Sequence, residues 1–120
     1  QPWIAKGRMT LLGVEQIFKS LVSKLKEKGI IIDDYFYCPH QSSDNCECKK
    51  PKPKLALEAA KKHDIDLSES FFIGDMDADI LLGKNLEIKT ILVLTGLGSD
   101  FKDIGADYIL ENINEIKRII

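Results

Sequence analysis

Every cysteine of this 120-residue chain, and one of its two histidines, falls within a single stretch of eleven residues. The spacing is Cys38-x-His40-x5-Cys46-x-Cys48. Three thiolates and one imidazole match the ligand set of a tetrahedral Zn²⁺ ion, and four protein ligands close its coordination shell, as in structural sites. We therefore expect a loop stapled by zinc, with a structural and not a catalytic role.

Three other states of these cysteines remain open. A different metal ion could occupy the same ligands. A disulfide would leave one cysteine over, and Cys46 and Cys48 are too close in sequence to bridge comfortably. Free thiols without a metal are the third alternative.

A basic segment follows the loop at once. Fixed positive charge on a stiff backbone suits phosphate binding by point charges. A solvated basic turn is the alternative, but a metal staple directly upstream would position the first two lysines far better than a free loop. The segment consists of Lys49, Lys50, Pro51, Lys52, Pro53 and Lys54.

Apolar patterning predicts an alternation of helices and strands along the chain. Strands that alternate with helices favour right-handed crossovers and a mainly parallel sheet, in which ligands bind beyond the carboxyl ends of the strands. Two loops that leave such ends, 38–53 and 74–79, should therefore face one site. The helices are expected at 11–28, 53–63, 77–84 and from 112 onward, and the strands at 34–38, 70–73, 90–94 and 108–110.

The second of these loops is rich in aspartate. Asp75, Asp77 and Asp79 resemble a calcium-binding loop, but that pattern requires Gly and Glu where this chain has Ile80 and Leu86. A carboxylate directly after a buried strand is instead well placed to hold Mg²⁺, which points to Asp75. Asp79 could orient Asp75 or a lysine, or could simply be a first-turn helix acid, as expected for Asp77.

Composition is that of an ordinary globular protein, with 44% hydrophobic and 30% charged residues. A net charge of −2 gives no electrostatic reason to expect a nucleic acid or an anionic membrane as partner. The sequence shows no signal peptide and no apolar run of the roughly 18 residues that a transmembrane helix needs. A cytoplasmic setting is therefore expected. Because the first residue is not Met, we also expect a fragment or a processed piece of a longer protein.

The combined motifs resemble those of the haloacid dehalogenase-like (HAD) phosphatases. Ile73-Gly-Asp-x-x-x-Asp79, preceded by Lys-Pro-x-Pro, carries the resemblance. The cysteine loop is similar to that of the zinc-containing branch that holds D-glycero-D-manno-heptose 1,7-bisphosphate phosphatase and histidinol-phosphate phosphatase. The opening segment 1–7 is closer to the heptose enzymes. The resemblance implies an α/β fold, with a Rossmann-like parallel sheet flanked by helices, over a single domain of residues 1–120 with its zinc-binding loop at 38–48.

The resemblance also implies a role for each matching residue. Lys50 would stabilise the phosphoryl group and the nucleophile, and Asp75 would hold Mg²⁺ with the support of Asp79. Substrate contacts would come from Gln1, Pro2, Lys49 and Lys50, and zinc would be bound by Cys38, His40, Cys46 and Cys48. Lys49 departs from the family, which has arginine there, so a bidentate contact is lost and substrate choice could change.

One family motif does not occur in these 120 residues. The Asp-x-Asp-Gly-Thr sequence, which supplies the aspartyl nucleophile and the general acid, is absent. We therefore expect this polypeptide to be inactive alone, with a sheet incomplete at its N-terminal side. Its unpaired edge would favour self-association.

Two functions follow from these expectations. The first is a Mg²⁺-dependent HAD phosphatase that hydrolyses a small phosphorylated metabolite through an aspartyl-phosphate. Its substrate would be a sugar phosphate of the heptose bisphosphate type, or alternatively histidinol phosphate. The second is a non-catalytic, zinc-stabilised module that binds a phosphate ligand or a partner.

Overall fold

The computed structural model describes residues 2–120, and for Pro2 and Trp3 the backbone alone. It divides into two compact units, Gln1–Lys49 and Lys50–Ile120. The single domain expected for residues 1–120 stays a prediction. Among the described residues, no helix combines the length and the apolar character needed to cross a bilayer.

The first unit contains a short helix α1 (Pro2–Ala5) and a long helix α2 (Leu11–Glu27). The prediction of α2 is confirmed. Thr10 caps its start by accepting a hydrogen bond from the Gly13 amide at 3.0 Å, and Gly29 follows its end with φ +77°, a conformation that glycine adopts without strain. Of its apolar residues only Val14 is buried, so most of the predicted apolar face remains exposed.

The prediction of a strand at 34–38 was wrong. These residues form neither a helix nor a strand, and the sheet in the described part of the chain contains none of them. A β-prone sequence becomes a strand only when a neighbouring strand takes up its backbone hydrogen bonds. Here the segment packs through side chains instead, because the Phe18 ring of α2 stacks on Tyr35 at 4.6 Å and on Tyr37 at 5.9 Å.

The second unit carries the sheet, with strands and helices close to their predicted positions. In chain order it contains α3 (Lys54–His63), a 3₁₀ turn (Leu67–Glu69), β1 (Phe71–Gly74), α4 (Asp77–Asn85), β2 (Lys89–Val93), a 3₁₀ segment (Gly98–Ile104), β3 (Tyr108–Leu110) and a 3₁₀ segment (Ile113–Arg118). Another 3₁₀ turn, Ser42–Asp44, belongs to the first unit.

The three strands pair in parallel in the order β1-β2-β3, so the expected parallel α/β sheet is confirmed. Gly74 lies opposite Leu92, which brings the carboxyl ends of β1 and β2 to the same edge. The central strand is the best buried, with Thr90, Ile91 and Leu92 fully inaccessible. By contrast, Ile73 on the outer strand β1 is 38% exposed, because in the described residues this strand has a neighbour on one side only.

Helix α4 packs on this sheet and completes the core. Ile80 and Leu82 are buried against it, and Gly83 allows close approach because a methyl group there would overlap the Thr90 side chain. This packing fixes the first turn of α4 relative to the end of β1, where the aspartates lie.

The helix expected after Asn112 forms as 3₁₀ turns instead. Asn112 does cap it, accepting a hydrogen bond from the Asn114 amide at 3.0 Å. The segment is only six residues long, and its β-branched isoleucines and Asn114 are modest helix formers, so an α-helix gains little there.

A carboxylate joins the beginnings of β2 and β3. Asp107 Oδ2 accepts hydrogen bonds from the Thr90 amide at 2.7 Å and from its hydroxyl at 2.6 Å, and the Asp107 amide donates back to Thr90 Oγ1 at 3.1 Å. These hydrogen bonds from Thr90 lower the pKa of Asp107. Nothing in the sequence predicted this pair, since no pattern marks which acid faces a buried threonine.

We expect Asp107→Ala to lower the free energy of unfolding by about 1–3 kcal/mol at pH 7, the cost of leaving buried donors unpaired. Because the pKa of this carboxyl is lowered on folding, its contribution is present above its ordinary value of 3.8 and is lost as the pH falls through the folded value. Urea unfolding at pH 7 and near pH 3 measures both effects, with Asp103→Ala as the exposed control. Equal stability of wild type and Asp107→Ala at pH 7 would contradict this role.

Candidate functional site

The first unit brings the four predicted metal ligands together. Cys38 Sγ lies 3.5 Å from Cys46 Sγ and 3.2 Å from Cys48 Sγ, and His40 Nδ1 lies 3.2 Å from Cys48 Sγ and 3.6 Å from Cys38 Sγ. The ligand atoms of all four residues lie within 4.8 Å of one another. Zinc–sulfur bonds of about 2.3 Å and zinc–nitrogen bonds of about 2.0–2.1 Å place tetrahedral ligands at comparable separations. This cluster could therefore hold a metal ion.

The thiols influence one another strongly. At Cys46 burial alone would raise the pKa, but hydrogen bonds from the Cys38 and Cys48 side chains lower it to about 7. At Cys48 burial, together with the hydrogen bonds and charges of Cys38 and Cys46, raises the pKa to about 12. Ionisation of one thiol thus opposes ionisation of the next. A bound cation would relieve that repulsion, since coordinated thiols are deprotonated.

Local backbone geometry shapes the loop around the cluster. The Gln41 amide donates to Asp44 Oδ2 at 3.0 Å, and Asn45 turns the chain with φ +45°, a left-handed conformation that asparagine tolerates better than most residues. Lys49 Nζ contacts Ser42 Oγ, so the first lysine of the basic segment is directed to its own loop. Nothing in the sequence predicted the contact with Ser42.

The second unit pairs Lys50 with Asp79. Lys50 Nζ forms an ion pair with Asp79 Oδ1, and the lysine side chain is half exposed whereas the aspartate is only 3% exposed. Asp79 Oδ2 accepts a hydrogen bond from the Met76 amide at 3.2 Å at the start of α4. A buried carboxylate held at both oxygens directs the ammonium group, and half of the lysine side chain remains exposed.

A glycine makes room for this acid. Gly74 ends β1, and a methyl group at its Cα would overlap the Asp79 carboxylate. The Gly-Asp sequence thus has two functions: the glycine lets the helix acid pack against the strand, and the next residue, Asp75, projects from the carboxyl end of the sheet.

Asp75 is held by the loop that follows β2. Its Oδ2 accepts a hydrogen bond from the Leu97 amide at 3.2 Å, and Gly96 lies so close that a methyl group there would overlap the same oxygen. Residues 95–98, Thr-Gly-Leu-Gly, form a glycine-rich loop after β2. The expectation that such loops meet at one sheet edge could have indicated the contact.

The structure describes some of the remaining residues but not the side chains of the first two. Asp77 begins α4, as expected for a helix-start acid, and its Oδ1 accepts a hydrogen bond from the Ala78 amide at 2.6 Å. His63, the histidine outside the cysteine loop, is exposed at the end of α3. Gln1 lies outside the described residues, and so does the side chain of Pro2, so their substrate contacts stay predictions.

The residues of the second unit can supply two complementary charges. Lys50 offers a positive charge to an anion, and Asp75 offers a carboxylate oxygen to a cation at the carboxyl edge of the sheet. A Mg²⁺ ion in proteins is commonly held by one or two carboxylates together with waters and substrate phosphate oxygens. The single carboxylate of Asp75 at this edge fits such a magnesium site.

A family model described as HAD-hydrolase-like matches residues 47–116, more than half of the chain. A heptose relative is the D-glycero-β-D-manno-heptose-1,7-bisphosphate 7-phosphatase of Helicobacter pylori strain J99, which is 46% identical over 96 residues, covering 79% of this chain and 55% of the relative. The histidine biosynthesis bifunctional protein HisB of Buchnera aphidicola subsp. Schizaphis graminum is 39% identical over 71 residues, covering 59% of this chain and 20% of that protein. The chain thus spans about half the length of the heptose relative.

A solved structure is similar over almost the whole chain. It is the D,D-heptose 1,7-bisphosphate phosphatase of B. bronchiseptica complexed with magnesium and phosphate, with a TM-score of 0.90 and 25% identity, covering 98% of this chain and 68% of that one. The resemblance noted from the aspartate and cysteine motifs is thereby confirmed. This chain belongs to the HAD-hydrolase-like family.

Proposed function

We propose that this chain is the phosphate- and magnesium-binding part of a phosphatase that acts on a small phosphorylated metabolite. The observation that carries the proposal is the pairing of Lys50 with the buried Asp79 beside the strand end that bears Asp75. A fixed ammonium group and an adjacent carboxylate at the carboxyl edge of a parallel sheet suit a phosphate monoester with its metal ion. Membership of a hydrolase family supports the same class of reaction.

In this proposal each residue has one task. Lys50 binds a phosphoryl oxygen and offsets the charge that builds up on it, and Asp79 holds Lys50 in place. Asp75 binds Mg²⁺, which when bound offsets further charge on the phosphoryl group. The phosphoryl group passes from the substrate oxygen to an aspartate carboxylate, and water then releases inorganic phosphate from that aspartyl-phosphate. The accepting aspartate lies in the Asp-x-Asp-Gly-Thr motif, which is not among these 120 residues.

We assign Zn²⁺ to the cluster of Cys38, His40, Cys46 and Cys48. Its four protein ligands leave no open position, so the ion would act structurally. Cys48 precedes Lys50 by two residues, and a fixed loop end limits the conformations open to the lysines that follow. Lys49 would take the place of the family's arginine, which helps to recognise the substrate.

A heptose bisphosphate is the substrate that the similarities favour. The H. pylori relative and the B. bronchiseptica structure both carry that activity in their names. Histidinol phosphate is the second candidate, supported by the similarity to HisB over 71 residues. The two substrates share the phosphate monoester and differ in the group beyond it. A non-catalytic phosphate-binding module is the third candidate, supported by the missing nucleophile motif.

A ligand panel tests the proposal. With Mg²⁺ present, we expect this chain to bind D-glycero-D-manno-heptose 1,7-bisphosphate at least about tenfold more tightly than histidinol phosphate or an aryl phosphate, a difference of about 1.4 kcal/mol. We expect no turnover of any of the three. Calorimetric titration measures the binding and released phosphate measures the turnover. Tighter binding of histidinol phosphate would favour the second candidate, and turnover abolished by Asp75→Asn would contradict the view that the nucleophile lies outside these residues.

A further inference from the structure

We infer that the loop after β2 is a positioning element for the magnesium-binding carboxylate: Gly96 leaves the space that Asp75 occupies, and the Leu97 amide fixes its orientation. This inference rests on the proposed function, which assigns Mg²⁺ to Asp75. It adds two residues that neither the motifs nor the similarities assign to the site.

Sheet topology brings these residues together. β1 and β2 are neighbouring parallel strands with Gly74 opposite Leu92, so the segments that follow them leave the sheet at one edge. Asp75 follows β1 directly, and the 94–97 segment follows β2. The Leu94 amide donates to Leu110 O at 2.9 Å, which continues the pairing with β3 by one residue and anchors the start of this loop.

Position 96 requires glycine for two independent reasons. Its φ of +66° lies in the left-handed region, which residues other than glycine rarely adopt. A methyl group at this Cα would also overlap Asp75 Oδ2. Any side chain at this position would therefore displace the carboxylate, even if the backbone strain were tolerated.

Leu97 acts through its backbone. Its side chain is 51% exposed, whereas its amide donates to Asp75 Oδ2 at 3.2 Å. A hydrogen bond to one carboxylate oxygen restricts rotation of the carboxylate and leaves the other oxygen, Oδ1, available to a cation. Hydrogen-bond partners of this kind around metal ligands typically change metal affinity by about 10- to 100-fold when removed.

The test compares two glycine variants in the same unit. Gly96→Ala introduces strain and the overlap with Asp75. Gly105→Ala introduces the same kind of strain at φ +78°, but its methyl group meets only the flexible end of the Lys84 side chain. With Mn²⁺ as the paramagnetic probe, broadening of backbone amide signals gives its dissociation constant for the full chain. We expect affinity to fall by about tenfold or more in Gly96→Ala and by less than about twofold in Gly105→Ala.

Asp75→Ala separates the two levels of the proposal. If Mn²⁺ binds this variant as tightly as the wild type, the assignment of the metal to Asp75 is wrong. If binding is lost in Asp75→Ala but unchanged in Gly96→Ala, the metal assignment stands and the positioning role is overturned. Hydrogen exchange of the Leu97 amide gives a readout that does not depend on the glycine variants. We expect faster exchange in Asp75→Ala than in wild type, and an unchanged rate would also overturn the role.

Discussion

Serine in place of Cys48 is expected to abolish stoichiometric zinc binding and to open the loop of residues 38–48. The four ligand atoms already lie within 4.8 Å of one another, so loss of one thiolate leaves three ligands and an incomplete shell. A ligand present at 100 to 1,000 times its dissociation constant contributes about 2.7–4.1 kcal/mol of stability, and most of this should be lost. Elemental analysis after dialysis gives the zinc content, and amide hydrogen exchange across the loop gives the local stability.

The same loop offers a matched control. Ser43 is exposed and lies between the ligands His40 and Cys46, so Ser43→Ala should retain about one zinc per chain with wild-type exchange rates. Wild-type protein that carries far less than one zinc per chain, or a Cys48→Ser variant that keeps its zinc, would contradict the assignment. Retention of a different divalent ion would favour the other-metal alternative.

Alanine in place of Lys50 is expected to weaken phosphate binding by about 10- to 150-fold. This corresponds to about 1.5–3 kcal/mol, the usual contribution of a hydrogen bond to a charged group. Asp79→Asn should weaken binding less, because the ammonium group remains but loses the buried partner that directs it. Calorimetric titration of inorganic phosphate into each variant in the presence of Mg²⁺ measures both effects.

Lys54→Ala controls for the change in net charge. Lys54 belongs to the same basic segment, but its ion pair with Glu58 is exposed and spans 4.0 Å, so its loss should change little. A fall in affinity as large as that of Lys50→Ala would mean that the segment attracts phosphate by its overall charge alone. That result would support the solvated basic turn.

Much of the site was accessible from the sequence because its residues are close along the chain. Four soft ligands in eleven residues can converge whatever the rest of the fold does, and their convergence follows the spacing. The Gly-Asp pair at a strand end is similarly local: β1 and α4 formed where the apolar pattern predicted them, which places Asp75 and Asp79 at the start of the helix.

The errors arose where long-range partners decide the outcome. Residues 34–38 have the composition of a buried strand, but a strand also needs a neighbour, and composition does not show whether one is present. The contacts of Asp75 with Leu97 and of Thr90 with Asp107 span 22 and 17 residues. Both depend on backbone amides or on strand register, which leave no mark in a single sequence.

The proposal depends most directly on the linkage between phosphate and Mg²⁺ at Lys50 and Asp75. Calorimetric titration of inorganic phosphate into the chain, with and without Mg²⁺, in wild type and in Asp75→Ala, measures that linkage. We expect about one phosphate per chain, bound at least about tenfold more tightly when Mg²⁺ is present, with this enhancement lost in Asp75→Ala. Phosphate affinity that is unchanged both by Mg²⁺ and by the loss of Asp75 would contradict it.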